Sequence, residues 1–120
     1  MGSLIVEITA GSPVEAERIG RLLVEERLAS CVNFIPGIRS IYRWKGRVEE
    51  ASETLLLAKT VEAALPELIA RVRALHSYEC PCITALPIIG GNPDYLVWIE
   101  AECAPRSPHG SHAGSDRSAD

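Results

Sequence analysis

The sequence predicts an α+β protein in which two helices pack on one face of an antiparallel sheet. Short β-branched apolar segments and two amphipathic helical patterns follow one another in the order β-α-β-β-α-β, and a short third helix comes last. The chain has 120 residues, of which 47% are apolar. That length and composition fit one domain with a substantial core.

The first strand and helix have clear local signals. Residues 4–9 are short, apolar and β-branched, and Gly11 ends them. Ser12 then provides an N-cap, Pro13 suits the first helical position, and Glu15 completes a capping box. An apolar stripe predicts that this helix continues to about Ser30.

A long β-hairpin is predicted for the middle of the chain. Residues 31–35 and 38–44 are β-rich, and Pro36-Gly37 between them predicts a bulge or bend at an edge. Residues 45–47 supply the turn, and residues 48–59 return. Period two places Tyr42 and Trp44 on one face near the hairpin tip, which favours a subunit interface over a local cover for the sheet.

The second half of the chain repeats the helix-then-strand order. The second helix begins at an N-cap Thr60 or, because of Pro66, nearer Leu65, and it continues to Leu75. Residues 83–89 predict a strand, and Asn92-Pro93-Asp94 opens a third helix over 95–103. The predicted fold is therefore a ferredoxin-like sandwich over residues 1–103 with an extra C-terminal helix.

Charge and composition exclude several classes of protein. The net charge of −4 argues against a nucleic-acid partner. No apolar run approaches the roughly 20 residues of a membrane span, and the N-terminus has no basic signal-peptide region, so we expect a cytoplasmic protein. Residues 104–120 are rich in Pro, Ser, Gly and Asp, which predicts a disordered tail whose His109 and His112 are weak metal-binding candidates.

The segment 76–83 concentrates the residues that carry chemistry. His76, Cys80 and Cys82 combine an imidazole with two thiols, a set that suits Cu(I) or Zn(II). The alternatives are a hydrogen-bonding histidine at a helix end and small side chains on an edge strand. Cys31 and Cys103 are expected to act as small buried hydrophobic groups.

A possible ligand cleft is suggested by charged residues near the strand ends. Lys59 would hold an anion or a carboxylate there, or it would simply extend to solvent from the end of its strand. Glu79 is the nearest acidic candidate. No nucleophilic triad, phosphate loop or paired catalytic carboxylates are visible in the sequence, so we predict no enzymatic activity.

Six separated motifs resemble the CutA family of divalent-cation-tolerance proteins. They are residues 26–33, 35–37, 40–46, 59–60, 76–79 with Pro81, and 91–96 with Trp98. The resemblance implies a ferredoxin-like homotrimer whose hairpins pack across subunits, with Tyr42 and Trp44 at the interface. It also implies tolerance to divalent metals, copper above all, without an established reaction.

The chain departs from the family pattern at three positions. Cys82 stands where many members have glutamate. Ile8 and Leu75 stand where some copper-binding members have a cysteine and a second histidine, so only His76 of that ligand set is present.

Three functional hypotheses follow from the residues and the resemblance. The first is a trimeric metal-response protein that binds copper or a similar ion weakly through His76, Cys80 and Cys82. The second is a trimeric binding module that takes a small anionic ligand in an intersubunit cleft lined by Trp44, Lys59, Tyr78 and Glu79. The third, an acyl-phosphate hydrolase, needs an arginine in a phosphate loop after the first strand, and the sequence has none there.

Overall fold

The computed structural model describes residues 2–103, which form a four-stranded antiparallel sheet and three α-helices. In chain order the elements are β1 (Ser3–Ala10), α1 (Pro13–Glu25), β2 (Cys31–Trp44), β3 (Arg47–Val61), α2 (Leu65–Leu75), β4 (Ile83–Pro87) and α3 (Pro93–Glu102), with a 3₁₀ turn at Glu62–Ala64. The strands lie in the order β2-β3-β1-β4. The predicted α+β class is confirmed, and the tail at 104–120, with its two histidines, lies outside the described residues.

The two faces of the sheet differ in what covers them. Even-numbered residues of β1 and of the second half of β3 contact α1 and α2, and they form the main core with Ile19, Leu23, Leu68 and Val72. Odd-numbered residues of the same strands point to the opposite side, because side chains alternate along a strand. In this chain that opposite side carries no helix from the two crossover connections, and we call it the open face.

The ends of α1 and α2 show where local signals were sufficient. Ser12 caps α1 as predicted, because its Oγ accepts a hydrogen bond from the Glu15 N–H at 3.1 Å. For α2 the later of the two predicted starts is correct: Thr60 is a buried strand residue whose hydroxyl donates to the Leu28 carbonyl at 2.7 Å. Asn92 caps the third helix, because its side-chain oxygen accepts a hydrogen bond from the Asp94 N–H.

Helix α1 ends five residues earlier than the sequence predicted. It stops at Glu25 because Arg27 adopts a left-handed conformation, with φ +64°. The Arg27 guanidinium reaches across the protein and donates hydrogen bonds to the Ala101 and Glu102 carbonyls at the end of α3, at 2.7 and 2.9 Å. These bonds satisfy carbonyls that have no partner inside α3. The residue that ends α1 therefore also caps the C-terminus of α3.

The hairpin of β2 and β3 has the predicted bulge and a two-residue turn. The register shifts between Ile35 and Ile38, where β2 carries one more residue than β3, so the bulge at Pro36-Gly37 is confirmed on an edge strand. Lys45 and Gly46 form the turn, with φ +50° and +79°. Two successive positive φ values match the type I′ turn, whose twist suits a tight hairpin.

Close packing of α1 on the hairpin depends on one glycine. A Cβ at Gly20 would lie 2.5 Å from Cζ of Phe34 and 3.2 Å from Cγ1 of Val32. Gly20 is buried in the helix, so the absence of a side chain there lets β2 approach α1 directly.

Candidate functional site

The described residues form a cleft of about 410 Å³ along the protruding half of the hairpin. It lies where the open face of the sheet meets the segment between α2 and β4. The residues that line it are Thr9, Ser40, Tyr42, Trp44, Glu53, Tyr78, Glu79, Cys80 and Cys82. Eight site residues were predicted from the sequence. Two of them, His76 and Lys59, do not line the cleft. The other six do: Tyr42, Trp44, Tyr78, Glu79, Cys80 and Cys82.

The bulge in β2 directs the hairpin's aromatic side chains into the cleft. Before the bulge, odd residues of β2 pair with odd residues of β3, as Ile35 does with Leu55. After it, even residues of β2 pair with odd residues of β3, as Tyr42 does with Glu49. Because of this one-residue offset, Ser40, Tyr42 and Trp44 share the open face with Glu53.

Glu53 is the buried charged group of the cleft. Only 7% of its surface is exposed, and its Oε2 accepts a 2.7 Å hydrogen bond from the Tyr78 hydroxyl. Burial of the Tyr78 phenol, together with its bond to Glu53, raises the pKa of Tyr78 well above its ordinary value. Tyr78 is therefore a hydrogen-bond donor throughout the physiological pH range.

His76 lies behind the cleft wall as a hydrogen-bonding group. Its Nε2 is 2.7 Å from the Thr9 carbonyl, and its Nδ1 accepts from the Tyr78 backbone N–H at 3.0 Å. These partners require the neutral tautomer with the proton on Nε2, because a carbonyl only accepts and an amide N–H only donates. Both ring nitrogens are engaged, so a metal at His76 would have to replace one of these bonds.

Glu15 fastens the N-terminus of α1 to the segment after α2. Its carboxylate accepts from the Ser77 N–H at 2.7 Å, from the Ser77 hydroxyl at 3.1 Å and from the Gly11 N–H at 3.3 Å. Burial alone would raise the pKa of Glu15, but the hydrogen bonds from Ser77 and Gly11 lower it overall. These hydrogen bonds to Glu15 fix the position of Tyr78, which follows Ser77 directly.

The two cysteines of the cleft are free thiols. Cys80 and Cys82 are exposed as whole residues, but partial burial of the Cys82 sulfur, followed by the charges of Glu7 and Glu53, raises the pKa of Cys82. A raised thiol pKa disfavours the thiolate form that binds metals. Within residues 2–103, no group of three histidine, cysteine, aspartate or glutamate side chains is arranged to hold a metal ion.

Lys59 lies away from the cleft. It is on the open face but six residues along β3 from Glu53, a separation of about 20 Å at the usual strand rise. Its ammonium group donates to the side-chain oxygen of Asn33 on β2. Within one chain Lys59 therefore lies apart from Trp44, Tyr78 and Glu79, and the predicted cleft between subunits stays a prediction.

A lysine that the sequence did not single out occupies the mouth of the cleft instead. The Lys45 ammonium lies 5.6 Å from the centroid of the Trp44 ring and 3.6 Å from Oε1 of Glu79. Sequence reasoning also missed Glu53, although the period-two pattern that placed Tyr42 and Trp44 on one face would have placed Glu53 with Leu55. The cross-strand offset at the bulge was needed to join the two sets.

By its fold and cleft, this chain is a small α+β protein with a long exposed hairpin. Comparison with known proteins identifies its family. The family described as CutA1 divalent ion tolerance protein matches residues 4–102. The chain belongs to this family. Its resemblance, inferred above from six motifs, is confirmed.

Several relatives are similar over most of this chain. A divalent-cation tolerance protein CutA of Thermus thermophilus is 55% identical over 95 residues, which are 79% of this chain and 92% of that protein. Protein CutA of mouse is 48% identical over 92 residues, 77% of this chain, but this match spans only 52% of the mouse protein.

Solved structures agree with the fold. A divalent cation tolerance protein of Thermus thermophilus superposes with a TM-score of 0.80 at 54% identity, covering 81% of this chain and 94% of that one. A protein from Archaeoglobus fulgidus, described as a periplasmic divalent cation tolerance protein, gives 0.81 at 42% identity over 84% of this chain and 98% of its own. No helix within residues 2–103 is long and apolar enough to cross a bilayer.

Proposed function

We propose that this chain acts in divalent-cation tolerance as a homotrimer that binds copper or another divalent metal weakly. The observation that carries the proposal is that Cys80 and Cys82 open onto one cleft beside Glu53 and Glu79. Thiol and carboxylate groups together can hold soft or borderline cations. The family name supports a role towards divalent cations without naming a metal.

The proposed metal site uses the cysteines rather than His76. Both nitrogens of His76 already have partners, whereas neither Cys80 nor Cys82 is in a disulfide. The raised pKa of Cys82 makes binding weak at neutral pH, because the metal has to displace a proton from the thiol. Affinity should therefore increase with pH.

Calorimetric titration with Cu(I) tests the metal site. We expect a weak exothermic binding event that disappears in the Cys80→Ser/Cys82→Ser variant. Cys31→Ser is the matched control, because Cys31 contacts Tyr95 and does not line the cleft. Equal heats from the wild type and the double variant would exclude a cysteine site.

Assembly as a ferredoxin-like trimer is supported by the open face. The strand order β2-β3-β1-β4 is the one expected of a split βαβ sandwich. Ile35 and Leu86 are exposed on the open face, and Ile41, Tyr42 and Trp44 are exposed on the hairpin. A sheet face of this composition normally packs against another layer, and a second and third copy would supply it.

Sedimentation velocity tests the assembly. The wild type should sediment as a trimer of 13.0 kDa chains, and Trp44→Ala should dissociate at a higher protein concentration, because Trp44 contributes large apolar area near the tip. Val14→Ala is the control, since Val14 is exposed on the outer surface of α1. A wild type that stays monomeric would contradict the proposed assembly.

The second candidate function is a binding module for a small ligand in the cleft. A volume of about 410 Å³ with three aromatic rings in the lining favours this possibility. An anionic ligand, as the sequence suggested, would meet Lys45 at the cleft mouth but not Lys59, which lies outside the cleft of its own chain. A thermal-shift screen of nucleotides, carboxylic acids and amines tests this function, and the absence of any hit at millimolar concentration would exclude it.

We propose no enzymatic activity for this chain. We also propose that it is cytoplasmic. The four free cysteines are consistent with a reducing compartment. The names of a relative from Arabidopsis thaliana and of the Archaeoglobus fulgidus protein refer to the chloroplast and the periplasm. Fractionation of cells that produce the native protein would decide the compartment.

A further inference from the structure

We propose that the cleft selects an organic cation, namely an ammonium group carried on a small apolar body. This inference rests on the second function above, the cleft as a ligand-binding module, and it reverses the sign of the expected ligand charge. Its basis is the combination of aromatic residues in the lining, a buried carboxylate with one oxygen to which no residue within 2–103 donates, and a lysine of the chain itself at the cleft mouth.

The charge of the cleft is negative. Glu53 and Glu79 are the charged residues among those that line it, and no lysine, arginine or histidine is in that set. Within residues 2–103 the single salt bridge of this pair joins Glu79 to Lys45 at 3.6 Å, and it is largely exposed. With Lys45 as the cation at the cleft mouth, the two carboxylates still leave an excess of negative charge, which repels an anionic ligand and attracts a cation.

Glu53 points to a ligand in its own right. More than nine-tenths of the residue is buried, and it lines the cleft. The Tyr78 hydroxyl binds only Oε2, and among the described residues no donor is recorded for Oε1. Buried polar groups are normally hydrogen-bonded, so an open carboxylate oxygen inside an apolar cleft calls for a donor from outside the chain.

The walls of the cleft suit an ammonium group on an apolar body. Tyr42, Trp44 and Tyr78 line the same space, and cations bind favourably over the faces of aromatic rings. A cleft of about 410 Å³ accommodates a small molecule rather than a bare metal ion. The combination of rings and carboxylates is the chemistry that recognises amines and quaternary ammonium groups.

Lys45 behaves as an internal stand-in for such a ligand. Its ammonium group lies near both the Trp44 ring and the Glu79 carboxylate. Both members of the ion pair are largely exposed, with side-chain exposures of 69% and 75%, so the contact is weak and a ligand can displace it. Removal of Lys45 should therefore strengthen ligand binding, whereas removal of the Glu53 charge should weaken it.

Titration with benzyltrimethylammonium, followed through the two indole N–H signals in a ¹H–¹⁵N spectrum, tests the proposal. We expect saturable shifts of the Trp44 signal, with the Trp98 signal on α3 as an internal reference outside the cleft. Phenylacetate and benzyl alcohol are the anionic and neutral ring controls, and both should bind at least fivefold more weakly.

Three full-length variants separate the contribution of the Glu53 charge from the competition by Lys45 and from general surface charge. Glu53→Gln keeps an acceptor for Tyr78 and removes the charge, and it should weaken binding about tenfold. Lys45→Gln should tighten binding two- to threefold, an effect of about 0.5 kcal/mol removed from the competitor. Glu17→Gln, which alters an exposed ion pair with Arg21 outside the cleft, should leave binding unchanged.

The outcomes distinguish this inference from the functions on which it rests. Equal or tighter binding of phenylacetate would overturn the cation while leaving a ligand-binding cleft. Unchanged affinity in Glu53→Gln, or weaker binding in Lys45→Gln, would also overturn it, and the exposed Lys45 change remains informative if Glu53→Gln fails to fold. No shift of Trp44 with any of the three probes would remove both the inference and the second function, whereas the copper titration would be unaffected.

Discussion

Replacement of Tyr78 by phenylalanine should destabilise the protein by about 1.5–3 kcal/mol, because it removes the recorded hydrogen-bond donor of a buried carboxylate. The hydroxyl donates to Glu53 at 2.7 Å, and Glu53 is 7% exposed, so water cannot readily replace it. Phenylalanine keeps the ring that contacts His76 at a centroid distance of 4.6 Å. Because the pKa of Tyr78 is raised, the loss should be the same from pH 6 to pH 9.

Urea denaturation at one fixed protein concentration measures this loss, since the stability of an oligomer depends on concentration. Tyr95→Phe is the matched control: its hydroxyl contacts Cys31 at 3.5 Å on a part-exposed ring, so its removal should cost less than about 0.5 kcal/mol. A Tyr78→Phe variant no less stable than Tyr95→Phe would refute the assignment of Glu53 as a buried acceptor that depends on Tyr78.

Three further substitutions test the packing of α1 on β2, the hydrogen bonds between Glu15 and Ser77, and the contact of Arg27 with the end of α3. Gly20→Ala should destabilise the wild type by roughly 1 kcal/mol but stabilise a Phe34→Ala background by about as much, and equal effects in urea titrations of both would exclude a Gly20–Phe34 clash. Glu15→Gln should lower stability at pH 7, and the difference from the wild type should shrink as pH falls below about 4.3. The reason is that a carboxylate with a lowered folded-state pKa stabilises fully above the pKa of the unfolded chain and loses that contribution as it is protonated. A difference that persists in thermal melts at pH 3 would contradict this. Arg27→Ala should lower the melting temperature by several degrees, through two lost hydrogen bonds to α3 and a strained positive φ, whereas Arg21→Ala should not.

Local signals in the sequence were sufficient wherever a residue acts on its immediate neighbours. Ser12 and Asn92 start their helices because a side-chain oxygen meets an N–H two or three residues later. The Pro36-Gly37 pair produces its bulge because proline cannot donate to the strand ladder. Each of these effects depends on fewer than five consecutive residues.

Features that depend on distant residues were not predictable. The end of α1 is set by Arg27, whose partners are at Ala101 and Glu102, more than seventy positions away. The cleft joins Glu53 to Tyr78 across the fold, and no periodic pattern links a strand residue to the loop after a helix. Lys59 was assigned to an intersubunit cleft because it ends an apolar strand, and within its own chain the strand length places it about 20 Å from Glu53.

The extra residue in β2 has a consequence for how the gene can vary. Deletion of a single codon between Ile35 and Ile38 would leave every downstream amino acid intact, yet it would turn Tyr42 and Trp44 over to the opposite side of the ribbon. An alignment would score such a deletion as minor, while the cleft would lose two of its three aromatic rings. Natural variation in the length of this segment is therefore a more sensitive marker of a lost binding function than substitution at the aromatic positions themselves.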